Sequence, residues 1–269
     1  MTIDYAAVNQ QAVELGRRTL ADGELGKMPP GPMLFASISG GHLYGFPSPD
    51  SDLDIRGCHV LPLRSVIGLR EPKETFEVMG QWVDGVEIDL VSHDLRKYLK
   101  LLLKNGGYIM EQIFSPLVVM ESEHLPELRE LARGAMTRNV LHHYNGFLRR
   151  QREIVSGEEP LLAKSVLYMF RVVMSGIHVL ETAEVETDIK VLNELYPLPY
   201  LPDLWTAKAE SCEKVELPAD QREQFLEDAE RLETRMYESS KRSPLPEQLQ
   251  NHDALDDFLL RLRREGADE

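Results

Sequence analysis

The chain has 269 residues, of which 42% are hydrophobic and 28% charged, a composition typical of globular proteins and unlike that of disordered ones. No apolar run has the roughly 18 to 20 residues that span a bilayer, and the two cysteines, Cys58 and Cys212, form no disulfide framework or zinc motif. We therefore expect a cytoplasmic protein with no membrane partner, and the net charge of −15 argues against a general nucleic-acid coat.

The N-terminal part of the chain predicts helices and strands in alternation. The first ~25 residues favour a helix, MLFASIS (33–39) a buried strand, and LDIRGCHVLP (53–62) a second strand. TFEVMGQWVDGVEIDLVS (75–92) predicts a hairpin whose turn is centred on Asp84-Gly85, a pair that favours a type I′ turn.

The hairpin is followed by a predicted helix in HDLRKYLKLLLKNGG. Ser92 is expected to be its N-cap, and Gly106 and Gly107 are expected to end it. After Pro116 the strand signals fade and the remaining segments favour helices. This shift predicts an α+β fold, with a sheet-bearing domain over 1–120 and an all-helical domain over 121–269. The tail from about 242 begins with the Pro-rich SPLP and could be loosely attached.

Three aspartates at alternate positions, Asp50, Asp52 and Asp54, lie at the start of the second predicted strand. Their spacing fits the first positions of a calcium-binding EF-hand, but that loop needs Gly and Glu where this chain has Ile55 and Leu61. A surface turn explains FPSPDS (46–51) but not carboxylates that continue into an apolar strand.

A divalent-metal site for phosphoryl chemistry is the remaining alternative. Side chains alternate along a strand, so Asp52 and Asp54 would lie on one face, where a cation offsets their repulsion. In VEIDLV (86–91), Asp89 lies on the polar face of an apolar strand that could pair beside them. Gly40 and Gly41 would let backbone N–H groups approach a triphosphate closely.

These parts resemble the nucleotidyltransferase superfamily that includes DNA polymerase β. The resembling parts are Gly40-Gly41, Asp52-Leu53-Asp54 and Ile88-Asp89-Leu90. The blocks GGHLYGFPSPDSDLDIRG, DLRKYLKLLLKNGGYIMEQIFSP and HHYNGFLRRQ are similar to a closer family, the RNA-repair-pathway polymerase β (RlaP-like) nucleotidyltransferases, over about residues 33 to 180. One departure is Gly41, where many members have Ser.

The resemblance implies a polymerase-β-like catalytic domain that transfers a nucleoside monophosphate from an NTP to an acceptor hydroxyl and releases pyrophosphate. Asp52 and Asp54 would ligate two Mg²⁺ ions, for which Mn²⁺ could substitute, and Asp89 would ligate the ion at the acceptor hydroxyl. The family name suggests an RNA 3′ or 5′ end as the acceptor, while a protein or a small molecule stays an alternative.

Further nucleotide-binding candidates lie outside the carboxylate set. Ser51 could contact a phosphate or cap the turn, and Tyr44 could contact the nucleotide or pack in the loop. Lys164 and Arg171 lie on one face of a predicted helix, which is either an ordinary solvated face or a stripe that holds the triphosphate or the base.

Two other functions stay open at this stage. One is a catalytically silent nucleotide-binding regulator on the same fold, which would not need all three carboxylates. The other is a metal-dependent glycosyltransferase, in which Asp-x-Asp also occurs, although Gly40-Gly41 and Asp89 do not favour it.

Overall fold

The computed structural model describes residues 4–211 and 214–265, so Cys212 lies outside the described residues. These residues form two compact units. The sheet unit comprises 4–40, 52–135 and 249–265, and the helical unit comprises 41–51, 136–211 and 214–248. The sequence predicted two consecutive domains, 1–120 and 121–269, whereas each unit of the structure is assembled from separate segments of the chain. The chain leaves the sheet unit after Gly40 and returns to it at Asp52.

The sheet unit contains five strands in one mixed sheet, as the α+β prediction requires. The strands are β1 (Met33–Ile38), β2 (Leu53–His59), β3 (Thr75–Val83), β4 (Val86–Asp94) and β5 (Val118–Glu121). Their order is β3-β4-β2-β1-β5, with β2 parallel to β4 and the other neighbours antiparallel. The sequence did not predict β5, because four residues at a sheet edge are too few to display a periodic pattern.

The described residues also contain twelve α-helices. They are α1 (Tyr5–Ala21), α2 (Gly40–Leu43), α3 (Leu63–Ile67), α4 (Leu95–Leu103), α5 (Gly107–Phe114), α6 (Leu125–Ala135), α7 (Val140–Gly157), α8 (Ala163–Thr182), α9 (Ile189–Leu195), α10 (Leu201–Glu210), α11 (Arg222–Lys241) and α12 (His252–Glu265). The predicted N-terminal helix is confirmed, and Asp4 caps it by accepting a hydrogen bond from the Ala7 N–H at 3.1 Å.

The N-cap predicted for the helix after the hairpin is wrong. Asp94 caps α4, because its carboxylate accepts from the Arg96 N–H at 3.0 Å. Ser92 lies inside β4, and its buried hydroxyl lies 2.8 Å from Nδ1 of His59. The strand continues two residues further than expected because β4 stays paired with β2 up to Asp94.

The hairpin between β3 and β4 turns where the sequence predicted. Asp84 and Gly85 have φ angles of 50° and 81°, so both central residues adopt the left-handed conformation that a type I′ turn requires.

One face of the sheet carries the hydrophobic core of its unit. Leu53 and Ile55 of β2 and Ile88 and Leu90 of β4 are all buried in this cluster together with residues of α1. Side chains alternate along a strand, so the residues between them point to the opposite face. The core thus fixes which way Asp54 and Asp89 project.

The C-terminal helix α12 is held firmly in the sheet unit, in contrast to the loose tail that the sequence suggested. Leu255, Phe258 and Leu262 of α12 are buried. Arg263 is only 5% exposed and pairs with the fully buried Asp94. The predicted break at SPLP belongs to the helical unit, while the helix after it belongs to the sheet unit.

The helical unit is built around α8. This is the one helix among the described residues that is long and apolar enough to cross a membrane, yet 78% of its apolar window is buried inside the protein, as in the core helix of a soluble domain. The segment Gly41–Ser51 packs in the same unit, and the Ile189 N–H donates to the Tyr44 carbonyl at 3.1 Å.

Candidate active site

Three carboxylates lie together where the start of β2 pairs with the middle of β4. The parallel register makes Asp54 and Asp89 direct neighbours, and Asp52 lies immediately before β2. One carboxylate oxygen from each of the three lies within 4.8 Å of the others, and each residue is half-buried. The predicted pairing of the two strands is therefore confirmed, and it places all three side chains on one site.

Arg56 supplies a positive charge beside these carboxylates. It lies two residues after Asp54 on the same face of β2 and forms an ion pair with the Asp54 carboxylate. The same guanidinium donates to the main-chain carbonyl of Asp89 at 3.1 Å and to that of Ile55 at 3.0 Å. Arg56 was not among the predicted site residues, although its spacing of two residues from Asp54 places both side chains on the same face of a strand.

Burial raises the pKa of the Asp54 carboxyl above its ordinary value. Its neighbours Asp52 and Asp89 raise this pKa further, whereas Arg56 opposes the rise. Three like charges at such distances repel each other unless a cation offsets them.

The carboxylates fit a hard divalent cation. Mg²⁺ prefers oxygen ligands and keeps coordination positions for water or substrate phosphates, and all three donors here are carboxylate oxygens that retain partial exposure. The donor set offers no imidazole or thiolate that would favour a softer metal. The site thus could bind a metal ion of the kind that the sequence implied.

Asp89 is held by a main-chain donor from the neighbouring strand. The Gly80 N–H of β3 donates to Oδ1 of Asp89 at 2.6 Å. Hydrogen bonds to an ionised acceptor are short and strong, so this contact fixes the direction of the carboxylate.

Gly40 is required by the packing of Asp54. Its φ angle is +67°, and a Cβ at this position would lie 2.3 Å from Oδ2 of Asp54. The N–H of Ser39, the residue before Gly40, donates to the Asp54 carbonyl at 2.8 Å. This glycine therefore lets the carboxylate lie directly against the backbone, a role that the sequence did not indicate.

Gly41 is under no comparable constraint. A Cβ there would make ordinary van der Waals contacts of 3.5 Å or more, with Ser51 Oγ among them. A serine at this position would thus fit without displacing the backbone.

In the helical unit, Ser51 belongs to a group of polar side chains. Its Oγ accepts from the Ser48 N–H at 2.9 Å, so it stabilises the turn as one of the two sequence interpretations proposed. Ser48 Oγ in turn accepts from Nζ of Lys208 at 3.0 Å. Lys208 is only 1% exposed, and sequence reasoning missed it because a single lysine in a helix carries no distinguishing signal.

Tyr44 and Arg171 are in direct contact in the helical unit. The Arg171 guanidinium lies 4.0 Å from the centre of the Tyr44 ring, and Tyr168 packs edge-on against that ring at 5.5 Å. Arg171 is fully buried, so the interpretation of its helix face as an ordinary solvated face is wrong for this residue. Lys164 lies about two turns earlier on α8 and is half-buried.

Comparison with known proteins agrees with the sequence resemblance. Residues 14–261 match the family described as RlaP, the RNA repair pathway DNA polymerase beta family. An uncharacterized protein of Methanocaldococcus jannaschii is 33% identical over 157 residues, which cover 58% of this chain and 63% of that protein. The uncharacterized protein YcgL of Bacillus subtilis is 27% identical over 146 residues, or 53% of this chain and 54% of YcgL.

These matches therefore span less than two thirds of either curated relative. Among solved structures, a nucleotidyltransferase-like protein from Exiguobacterium sibiricum aligns with 86% of this chain and 77% of its own, at 12% identity and a TM-score of 0.33. The family match covers most of the chain and includes all three carboxylates. The chain belongs to the RlaP family, the RNA repair pathway branch of the DNA polymerase beta family.

Proposed function

We propose that this protein is a metal-dependent nucleotidyltransferase that transfers a nucleoside monophosphate from an NTP to the hydroxyl of an RNA end. The observation that carries the proposal is the convergence of Asp52, Asp54 and Asp89 within 4.8 Å on adjacent parallel strands. Membership of a polymerase-β-like nucleotidyltransferase family supports the reaction class.

The proposed reaction is an in-line displacement at the α-phosphorus of the NTP. The acceptor oxygen forms a bond to that phosphorus, the bond from the phosphorus to the β-phosphate bridging oxygen breaks, and pyrophosphate leaves. Asp89, held by the Gly80 N–H, receives the proton of the acceptor hydroxyl.

Asp52 and Asp54 together with Asp89 would hold two Mg²⁺ ions, for which Mn²⁺ could substitute. When bound, such ions supply positive charge to the phosphates and lower the pKa of the acceptor hydroxyl. The protein itself supplies alignment, because two of the carboxylates lie on adjacent strands and are held by Arg56 and Gly80.

We assign nucleotide binding to Gly40 in the sheet unit and to Gly41, Tyr44, Ser51, Lys164 and Arg171 in the helical unit. The ammonium group of Lys208 lies in the helical unit as well, where it donates to the Ser48 hydroxyl. Ammonium and hydroxyl groups are suitable donors to phosphate oxygens.

A transfer assay tests the proposal. The purified protein is incubated with Mg²⁺ or Mn²⁺ and each α-labelled NTP in turn, in the presence of a tRNA pool, a short RNA or no acceptor. We expect label on RNA with the wild-type protein and none with Asp52→Asn or Asp54→Asn. Both variants should keep the wild-type circular dichroism spectrum, since neither side chain is in the hydrophobic core.

Each other outcome has a defined meaning. Label on the protein itself would replace RNA with a protein acceptor. Full transfer by Asp54→Asn would contradict the assignment of the carboxylates. Binding of NTP without any pyrophosphate release would favour a regulatory, catalytically silent protein.

A further inference from the structure

The edge strand β3 contains an irregularity directly opposite Asp89. Along the hairpin, Val78 pairs with Leu90, and the next pair is Gln81 with Ile88. Two residues of β3, Met79 and Gly80, therefore lie opposite the single residue Asp89. This two-against-one arrangement is a β-bulge.

The bulge makes little contribution to packing. Met79 is 57% exposed, and a Cβ built on Gly80 would meet only the flexible end of Glu87, at 3.6 Å. The bulge is also costly to form without glycine, since Gly80 has a φ angle of +66°. Neither the hydrophobic core nor a tight backbone contact thus explains its position.

The bulge turns one main-chain N–H away from the strand ladder and toward the carboxylate. The Gly80 N–H donates to Oδ1 of Asp89 at 2.6 Å. The contact engages one of the two carboxylate oxygens, so the other is left to coordinate a cation. Outer-shell hydrogen bonds of this kind orient metal ligands.

We infer that the Met79-Gly80 bulge is a positioning element that holds the Asp89 carboxylate in its metal-binding direction through the Gly80 N–H. The inference rests on the proposed function, because it assigns a role within the same carboxylate site. Gly80 is a positioning residue and not a catalytic one, since it contacts Asp89 and not the substrate.

The inference predicts that loss of this single N–H weakens metal binding. Replacement of Gly80 by glycolic acid during cell-free translation exchanges the N–H for an ester oxygen and keeps the chain free to adopt a positive φ. Free Mn²⁺ measured by electron paramagnetic resonance gives the affinity without any need for turnover. We expect about tenfold weaker Mn²⁺ binding, within the range of losses for outer-shell groups.

Two matched variants separate positioning from backbone strain. Gly85 lies in the same hairpin with a φ angle of +81° and open space around it, so the same ester there should leave Mn²⁺ affinity unchanged. Gly80→Asn keeps the N–H, and asparagine tolerates the left-handed conformation, so it should bind Mn²⁺ as the wild type does. Asp89→Asn provides the reference for loss of the ligand.

The outcomes distinguish this inference from the proposed reaction. Wild-type Mn²⁺ affinity in the Gly80 ester, an equal loss in both esters, or no effect of Asp89→Asn would overturn it. Weaker Mn²⁺ binding in the Gly80 ester alone would support it, even if the wild-type protein transferred no nucleotide, and in that case only the proposed reaction would fail.

Discussion

Removal of the Arg263 side chain should destabilise the sheet unit strongly. The guanidinium donates to both oxygens of Asp94 at 2.6 Å and to the Leu61 carbonyl at 2.5 Å, and both charged groups are almost completely shielded from water. Arg263→Ala would leave a buried carboxylate without its counter-ion. Breaking such a pair costs roughly 3 to 5 kcal/mol.

The lower end of that range applies here, because Asp94 would keep two main-chain donors. The N–H groups of Leu61 and Arg96 each donate to it at 3.0 Å. We therefore expect Arg263→Ala to lower the free energy of unfolding by about 3 kcal/mol, measured by urea denaturation at pH 7 with circular dichroism. It should also make α12 susceptible to limited proteolysis.

Arg261→Ala on the same helix is the matched control. Arg261 forms exposed ion pairs with Glu127 and Glu265, which contribute at most about 1 kcal/mol. A free energy of unfolding for Arg263→Ala within experimental error of that for Arg261→Ala would refute the reasoning, because it would mean that the buried pair does not attach the C-terminal helix.

Three further predictions concern the site and its surroundings. Arg56→Gln removes the cation beside the carboxylates, so Mn²⁺ affinity at low salt should rise, and weaker Mn²⁺ binding would contradict this expectation. In the metal-free protein, the same substitution should lower the free energy of unfolding, measured in urea, by about 1 to 2 kcal/mol. Gly45 has a φ angle of +85°, and Gly45→Ala would place Cβ 2.2 Å from Oδ1 of Asp188, so the urea midpoint of unfolding should fall. The control Gly146→Ala, in open space on a helix, should raise the midpoint. Burial, and secondarily Lys208, lowers the pKa of His42 from 6.5 to about 4, so the unfolded chain binds more protons in this interval. The free energy of unfolding should therefore fall as the pH drops from 6.5 to about 4, and His42→Gln should reduce that slope; an unchanged slope would exclude this contribution.

The sequence predicted that the three carboxylates lie together, because side chains on alternate positions of a strand share a face. Ile88 and Leu90 flank Asp89, and Leu53 and Ile55 flank Asp54, so the buried residues alone indicate that both carboxylates project from the opposite face. Neighbouring strands in one sheet then bring the two together.

Contacts that join distant parts of the chain could not be predicted in this way. The pairing of Arg263 with Asp94 spans 169 residues, and no local pattern indicates which buried acid a helix arginine meets. The same is true of Lys208 and Ser48, which are 160 residues apart. Ser92 was a reasonable N-cap by residue type, but the pairing of β4 with β2 extends the strand past it.

The bulge at Gly80 illustrates a third kind of limit. A glycine inside a strand pattern suggests a bulge or a close approach of another group, but the sequence does not say which residue lies opposite it. Register depends on the whole hairpin, and only the structure shows that the extra residue faces Asp89.

The position of label in the products tests the central claim most directly. The protein would be given Mg²⁺, RNA and the same NTP labelled either at the α- or at the γ-phosphate, with Asp54→Asn beside the wild type. The account predicts that α-label joins the RNA, that γ-label is released as pyrophosphate, and that the variant does neither. Transfer of γ-label to the RNA, or α-label transfer that survives the loss of Asp54, would contradict nucleotidyl transfer at these carboxylates.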